Sequence, residues 1–362
     1  MLFSVLSVFS VVMGRVMSKS DKSFLQSLRD FLVSLFGGKK PTPPPQPPVP
    51  SVPVDNPDEP AQVIVSKVLV IVYDPVMDPA SGKKLSEQLG WQRTEDLATG
   101  FMADILQCSR EMARYQVVER FDVNEFPAKV DGFRYTPQTY MDVLRNVSLP
   151  HKPQEVDYYA IINQFNILSR VAKKEIDEVW AFGFPHAGFY ESIMVGPKAF
   201  WCNAPALKKT DASGRRFVIM GFSYERGVGE MLESFGHRSE SIMLKTFERL
   251  MGDANLWQRF IRCEKVAPGK AAIGSIHFAP NSERDYDWNN PSTVKSECYD
   301  WLLNFPNFQG DVRDVTASEW GKGDIRLHHQ WWLKHIPHVA GRQNGIHNNW
   351  WQYMIDPQNV GR

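Results

Sequence analysis

The chain has 362 residues, with 41 basic and 41 acidic side chains and therefore no net charge at pH 7. That balance excludes a nucleic-acid binder that relies on a broad basic face. Hydrophobic residues at 43% and charged residues at 23% fit an ordinary globular protein, but 25 prolines and 11 tryptophans are unevenly spread.

Residues 2–13 (LFSVLSVFSVVM) form an apolar run of twelve, too short for a bilayer span of about 20 residues. Residues 24–36 (FLQSLRDFLVSLF) read as an amphipathic helix. It stops at Gly37-Gly38-Lys39-Lys40, where glycine ends a helix and cations suit its C-terminus. Ten of the twenty residues from 41 to 60 are proline, which makes an extended spacer that cannot join a packed core. The expected layout is an export or anchoring segment at 1–40, a proline-rich linker at 41–62 and a globular body beyond. It predicts a secreted or cell-surface protein tethered to membrane or envelope through its N-terminus. A disordered intracellular tail is the plainer alternative.

Residues 63–73 (VIVSKVLVIVY) read as a buried strand that ends in Asp74. Residues 95–115 have helical spacing, and 116–119 suggest a short strand. Helices are expected near 137–147 and 158–171, and buried strands at 176–184 and 216–222. A long helix should run from about 227 to 251, followed by a strand at 271–277 (AAIGSIH) ending in a histidine. Strands alternating with helices predict an α/β fold, with a mixed or mostly parallel sheet and flanking helices over residues 63–287. Seven of the eleven tryptophans lie from Trp288 onward, and five of the nine histidines between His328 and His347. Residues 288–362 therefore read as a loop-rich, Trp/His-rich C-terminal cap packed on that core.

Ligands of open α/β sheets collect beyond the carboxyl ends of strands. Those ends carry Asp74, His186 with Glu191, Tyr224-Glu225-Arg226, and His277, which predicts a shared cleft. Gly227-Val228-Gly229 begins like a dinucleotide loop, but Leu232 stands where the third glycine belongs, so no nucleotide cofactor is expected. The sequence also lacks H-E-x-x-H, G-x-S-x-G and the phosphate-loop signature.

The strongest local pattern is Glu233, His237 and Glu240, whose spacings of four and three share one helix face. Val228, Met231, Leu232 and Phe235 occupy the opposite face, while Leu244 and Phe247 extend the Glu-His-Glu side. A helix apolar on two sides buries its polar groups, and buried charges need partners. The expected site is a divalent ion, zinc first, held by Glu233, His237 and His277, with Glu240 or Glu191 as catalytic base. Asn281, Asp285 and Asp287 offer further oxygens nearby. The plain alternative is a solvated polar face braced by Arg226 and Arg238; a metal-free Glu/His acid-base enzyme is another.

His335 and His338 could form a second metal pair, but Pro337 between them breaks the helix that would align them. Trp331-Trp332 and Trp350-Trp351 suggest a non-catalytic module that stacks on glycans or envelope polymers. Cys108, Cys202, Cys263 and Cys298 show no C-x-x-C pair, which excludes a zinc ribbon and leaves either two disulfides or four buried thiols.

KVLVIVYDP, IDEVWAFGFPHAGFYES, YERGVGEMLESFGHRSES, GSIHFAPNSERDYDW, WWLKHIPHVAG and NNWWQYM resemble a family of bacterial proteins without an established activity. The resemblance spans residues 66–356 and implies export behind a variable N-terminal linker. It implies no chemistry. A looser likeness to zincin peptidases rests on the Glu/His helix, which departs from H-E-x-x-H at Glu233. The leading expectation is a secreted or surface-tethered metal-dependent hydrolase acting on a carbohydrate or peptide polymer.

Overall fold

Branched apolar residues leave β1 (Ile64–Tyr73) buried on both faces from Val68 onward, as in the centre of a covered sheet. The structure is a computed structural model that describes residues 55–361. The expected N-terminal segment and most of the proline-rich linker lie outside the described residues. A hairpin of β2 (Val76–Asp78) and β3 (Lys83–Lys84) leads into α1 (Leu85–Leu89) and α2 (Thr94–Cys108). Next comes β4 (Ala113–Val123). The helix expected through residue 115 stops at Cys108, because Arg110 and Glu111 turn left-handed and the Glu111 N–H returns to the Leu106 carbonyl.

α3 (Pro137–Leu144), α4 (Tyr158–Gln164) and α5 (Ile167–Ala172) connect to β5 (Glu178–Gly183). The single helix expected over 158–171 is broken at Asn166, which sits at φ 51°. β6 (Ser192–Val195) and β7 (Phe217–Ser223) complete the main sheet, and the chain then enters α6 (Val228–Thr246). The sheet order is β4-β1-β5-β7-β6, parallel except for β6 against β7. This is the expected α/β sheet, mostly parallel, with flanking helices. β6, only four residues long, had no sequence signal of its own.

The remainder comprises α7 (Leu256–Phe260), β8 (Val294–Ser296), α8 (Cys298–Asn304), β9 (Arg313–Val315), α9 (Ile325–Lys334), β10 (His338–Gln343), β11 (Ile346–Asn349) and α10 (Trp351–Ile355). The C-terminal region is thus richer in helices and hairpins than expected. It also shares the hydrophobic core, with α9 and α10 packed on α6. Six of its seven tryptophans are buried: Trp288, Trp301, Trp320, Trp332, Trp350 and Trp351. Residues 55–62 belong to the body too, since Glu59 grips Arg342 and the Asn56 and Glu59 carbonyls accept from β10. All four cysteines are buried free thiols. No helix among the described residues is long and apolar enough to cross a membrane.

α6 is fixed against the sheet by a buried ion pair. Arg238 Nη1 lies 2.6 Å from Glu178 Oε1 on β5, with both side chains excluded from water. Trp180 Nε1 donates to the same carboxylate, and Arg238 Nη2 donates to the Ile355 carbonyl of α10. With Arg238 turned inward, Glu233, His237 and Glu240 must turn the other way.

Residues 271–277 are not the expected strand. Only Ala271 makes a bridge, to Ser296, and the rest is an irregular buried segment. Gly274 explains the failure: at φ 88° its missing Cβ would lie 1.9 Å from the Phe278 carbonyl oxygen, so the chain folds back on itself. Its peptide groups are satisfied partly by loop backbone, with the Ala272, Ile273 and Gly274 amides donating to the Arg262 and Phe260 carbonyls, and partly by side chains. Trp332 Nε1 donates to the Gly274 carbonyl, His328 Nε2 to that of Ile276 and Trp288 Nε1 to that of His277. The Ile276 N–H donates to Glu240. Trp332→Phe should therefore leave a buried carbonyl unsatisfied and destabilise the protein by about 1–3 kcal/mol in urea denaturation. A midpoint equal to wild type contradicts this role for the indole.

Candidate metal centre

Glu233, His237 and Glu240 lie on successive turns of α6, and His277 reaches them from the irregular segment. Gly236 permits that approach. A Cβ on it would sit 2.2 Å from the Ile276 side chain, so any other residue pushes His277's neighbour away. The carboxylate and the two rings then converge. His277 Nε2 is 3.0 Å from Glu233 Oε1 and 3.0 Å from His237 Nε2, which is itself 3.9 Å from Glu233 Oε1. The point equidistant from the three corners lies about 2.0 Å from each, the length of a Zn–N or Zn–O bond, and a tetrahedral ion would draw the Glu233–His237 side in to about 3.3 Å.

Behind these three atoms stand more carboxylates. Glu240 Oε2 is 3.2 Å from His237 Nδ1 and accepts its proton, which leaves Nε2 facing the triangle. Glu240 Oε1 accepts from the Ile276 N–H. Both its oxygens are thereby engaged, so Glu240 orients His237 and the His277 segment and is not placed as a free base. Asp285 Oδ1 lies 3.7 Å from His277 Nδ1, near enough for its charge to act on the second ring but beyond hydrogen-bond length. Glu191, just before β6, accepts from the Asn203 amide, and its charge acts on both His237 and Tyr286.

The electrostatics follow from burial opposed by close partners. Burial raises the Glu233 pKa, but hydrogen bonds from His277 and Tyr286 and the nearby histidine charges override it and bring the value down to about 2. Burial also disfavours charge on His237; the Glu240 hydrogen bond and the charges of Glu191, Glu240 and Glu233 outweigh it and raise the pKa to about 9. Glu240 is held below the ordinary carboxylate value, its burial outweighed chiefly by the bond to His237.

Three further groups had no sequence signal pointing here. Tyr286 donates its hydroxyl to Glu233 Oε1 at 2.6 Å and lays its ring on His277, with centroids 4.4 Å apart. His329, buried in α9, donates from Nδ1 to the Gly229 carbonyl and interacts electrostatically with Glu233. Trp288 holds the His277 carbonyl.

The rest of the expected cleft does not join this site, although the Tyr224 hydroxyl and Asp74 meet each other at 3.4 Å. Asp74 bonds the backbone and hydroxyl of Ser86 at the start of α1, and Tyr224 is buried with its hydroxyl on the Tyr73 carbonyl. The His186 carbonyl binds the buried Lys129 ammonium. Asn281 and Asp287 brace their own loop. Arg238, read as bracing a solvated face, lies in the core instead, and Arg226 pairs with Glu225. Leu244, expected beside the polar face under cover, is exposed, whereas Phe247 is buried. His335 caps α9 through the Trp331 carbonyl and His338 bonds the Ile336 carbonyl, so the two do not converge as a metal pair. Trp331, half-buried, lines a separate cavity of about 380 Å³ with Cys108, Cys298 and Tyr299. Burial pushes the Cys108 thiol up to about 12, which leaves it unreactive. No known family, curated protein or solved structure matches this chain.

Burial holds His328, His329 and His335 neutral, the last two with pKa values lowered to about 4. Below the ordinary 6.5 the unfolded chain protonates these rings and the folded chain does not, so stability falls toward pH 4. Above 6.5 the unfolded chain loses a proton that folded His237 keeps until about pH 9, so stability falls there as well. The urea midpoint in EDTA should peak near pH 6.5, and His237→Ala should flatten the alkaline limb. A wild-type midpoint unchanged from pH 6.5 to 9 contradicts the charged His237.

Proposed function

We propose that this protein is a metal-dependent hydrolase, with Glu233, His237 and His277 as ligands of one divalent ion. What supports the reading above all is the triangle of Glu233 Oε1, His237 Nε2 and His277 Nε2, with sides of 3.0, 3.0 and 3.9 Å. Two imidazoles and one carboxylate are a catalytic zinc set, which leaves a fourth position for water or substrate. Such an ion supplies Lewis acidity and makes a bound water acidic near neutral pH. Glu191 is the base in this reading: it is partly exposed beside the site, and only its bond from Asn203 needs to yield. Glu240 serves as the carboxylate that orients His237, and Asp285 adds negative charge beside His277.

The secreted or surface-tethered setting is part of the proposal and rests on the apolar and proline-rich residues 2–60. The polymer substrate is likewise proposed from that setting. The glycan-binding alternative loses its main feature, since Trp332, Trp350 and Trp351 are core residues. A metal-free acid-base enzyme needs the same His237 and Glu240 but has no use for His277 Nε2 facing His237 Nε2.

Elemental analysis of the purified full chain should find one zinc per molecule, lost in His237→Ala. Gly236→Ala, which alters no ligand, should weaken zinc binding at least tenfold by displacing Ile276 and the His277 segment. Absence of stoichiometric metal after zinc loading contradicts the proposal, and full affinity in Gly236→Ala contradicts the packing that aligns His277.

A further inference from the structure

Tyr286 sits where a catalytic group for this centre belongs. It has φ 58°, a left-handed backbone that an aromatic residue rarely adopts and that marks strain kept at functional sites. That turn directs the hydroxyl onto Glu233 Oε1 at 2.6 Å, while the residue as a whole remains 48% exposed. The exposed part lines an open groove of about 480 Å³ with Glu283, Arg284, Asp287 and Asn289, so Tyr286 links the buried Glu233 to a space open to solvent. Burial, then the neighbouring Glu233, Glu191 and Asp285, hold the phenol protonated and therefore a donor at every physiological pH.

The charge around the site limits what it accepts. Glu233, Glu240, Glu191 and Asp285 place four carboxylates around two imidazoles, and a divalent ion leaves that set net negative. Arg284, the cation on the groove, is largely exposed and paired with Asp287. A phosphate dianion meets repulsion there, whereas a neutral carbonyl does not.

We propose that Tyr286 is a catalytic residue that donates a hydrogen bond from its hydroxyl to an oxyanion, and that the substrate is a neutral acyl compound, an ester or amide. This rests on the hydrolase reading above. A water oxygen forms a bond to the carbonyl carbon while its proton passes to the Glu191 carboxylate. The carbonyl π pair moves onto oxygen, which accepts a hydrogen bond from the Tyr286 O–H once Glu233 Oε1 turns its lone pair to the cation. Collapse restores the carbonyl and breaks the bond to the leaving oxygen or nitrogen, which takes the proton back from Glu191. The products are a carboxylic acid and an alcohol or amine.

The test uses the full-length zinc-loaded protein with p-nitrophenyl acetate and p-nitrophenyl phosphate as probes, and calorimetric zinc titration of wild type and Tyr286→Phe. The acetate should be hydrolysed and the phosphate not. Tyr286→Phe should lower kcat on the order of 100-fold, the scale of one oxyanion donor, with zinc stoichiometry and far-ultraviolet dichroism unchanged. A zinc-replete Tyr286→Phe protein with wild-type kcat overturns the role of Tyr286. Turnover of the phosphate with none of the acetate overturns the acyl assignment and leaves the hydrolase reading standing. Wild-type protein that binds zinc but cleaves neither probe overturns both, and wild-type protein that binds no zinc overturns the metal centre itself.

Discussion

A buried segment without helix or strand must find partners for each of its peptide groups, and that constraint shapes this protein around residues 271–279. Some partners are backbone groups of Arg262 and Phe260, and others are indole and imidazole N–H groups. Trp332, His328 and Trp288 each reach a carbonyl of the segment, and Glu240 receives an amide. Indole suits this duty because one large apolar ring fills space while a single N–H finds an acceptor. Three of the tryptophans and histidines gathered from residue 288 onward support this loop, and most of the remaining tryptophans fill the core.

The second constraint is rotational. α6 is buried on nearly every side between Gly229 and Met243, so its polar residues have nowhere to hide by chance. Arg238 binds Glu178 on the sheet side, and Glu233, His237 and Glu240 meet the 271–279 segment on the other. Removing either member of a buried pair of this kind costs about 3–5 kcal/mol, so the orientation of the helix is strongly held. A carboxylate and two ring nitrogens pressed within 4 Å of one another then call for a shared cation, either a proton or a metal.

Much of this was legible in the chain. β1, β5 and β7 announced themselves as short apolar runs, and the four-then-three spacing put Glu233, His237 and Glu240 together correctly. His277 is at the site, though for another reason than expected: it sits on a looped segment shaped by Gly274 and admitted by Gly236, not at the end of a strand. Local periodicity cannot see such a contact, because Gly236 and Ile276 are forty residues apart. The same holds for Tyr286, whose half-exposed place in a polar loop gave no hint of a bond to Glu233. Glu240 was legible as a participant but not as an orienting group, since that depends on the Ile276 amide occupying its second oxygen.

The central claim is that the irregular segment and α6 bring two imidazoles and a carboxylate to one point. X-ray absorption at the zinc K-edge of the loaded, full-length protein tests it most directly. The expected spectrum has nitrogen and oxygen scatterers at about 2.0–2.1 Å, with outer-shell scattering from two imidazole rings. A sulfur scatterer near 2.3 Å, which would send the ion to one of the four buried thiols, or a spectrum without imidazole scattering contradicts it.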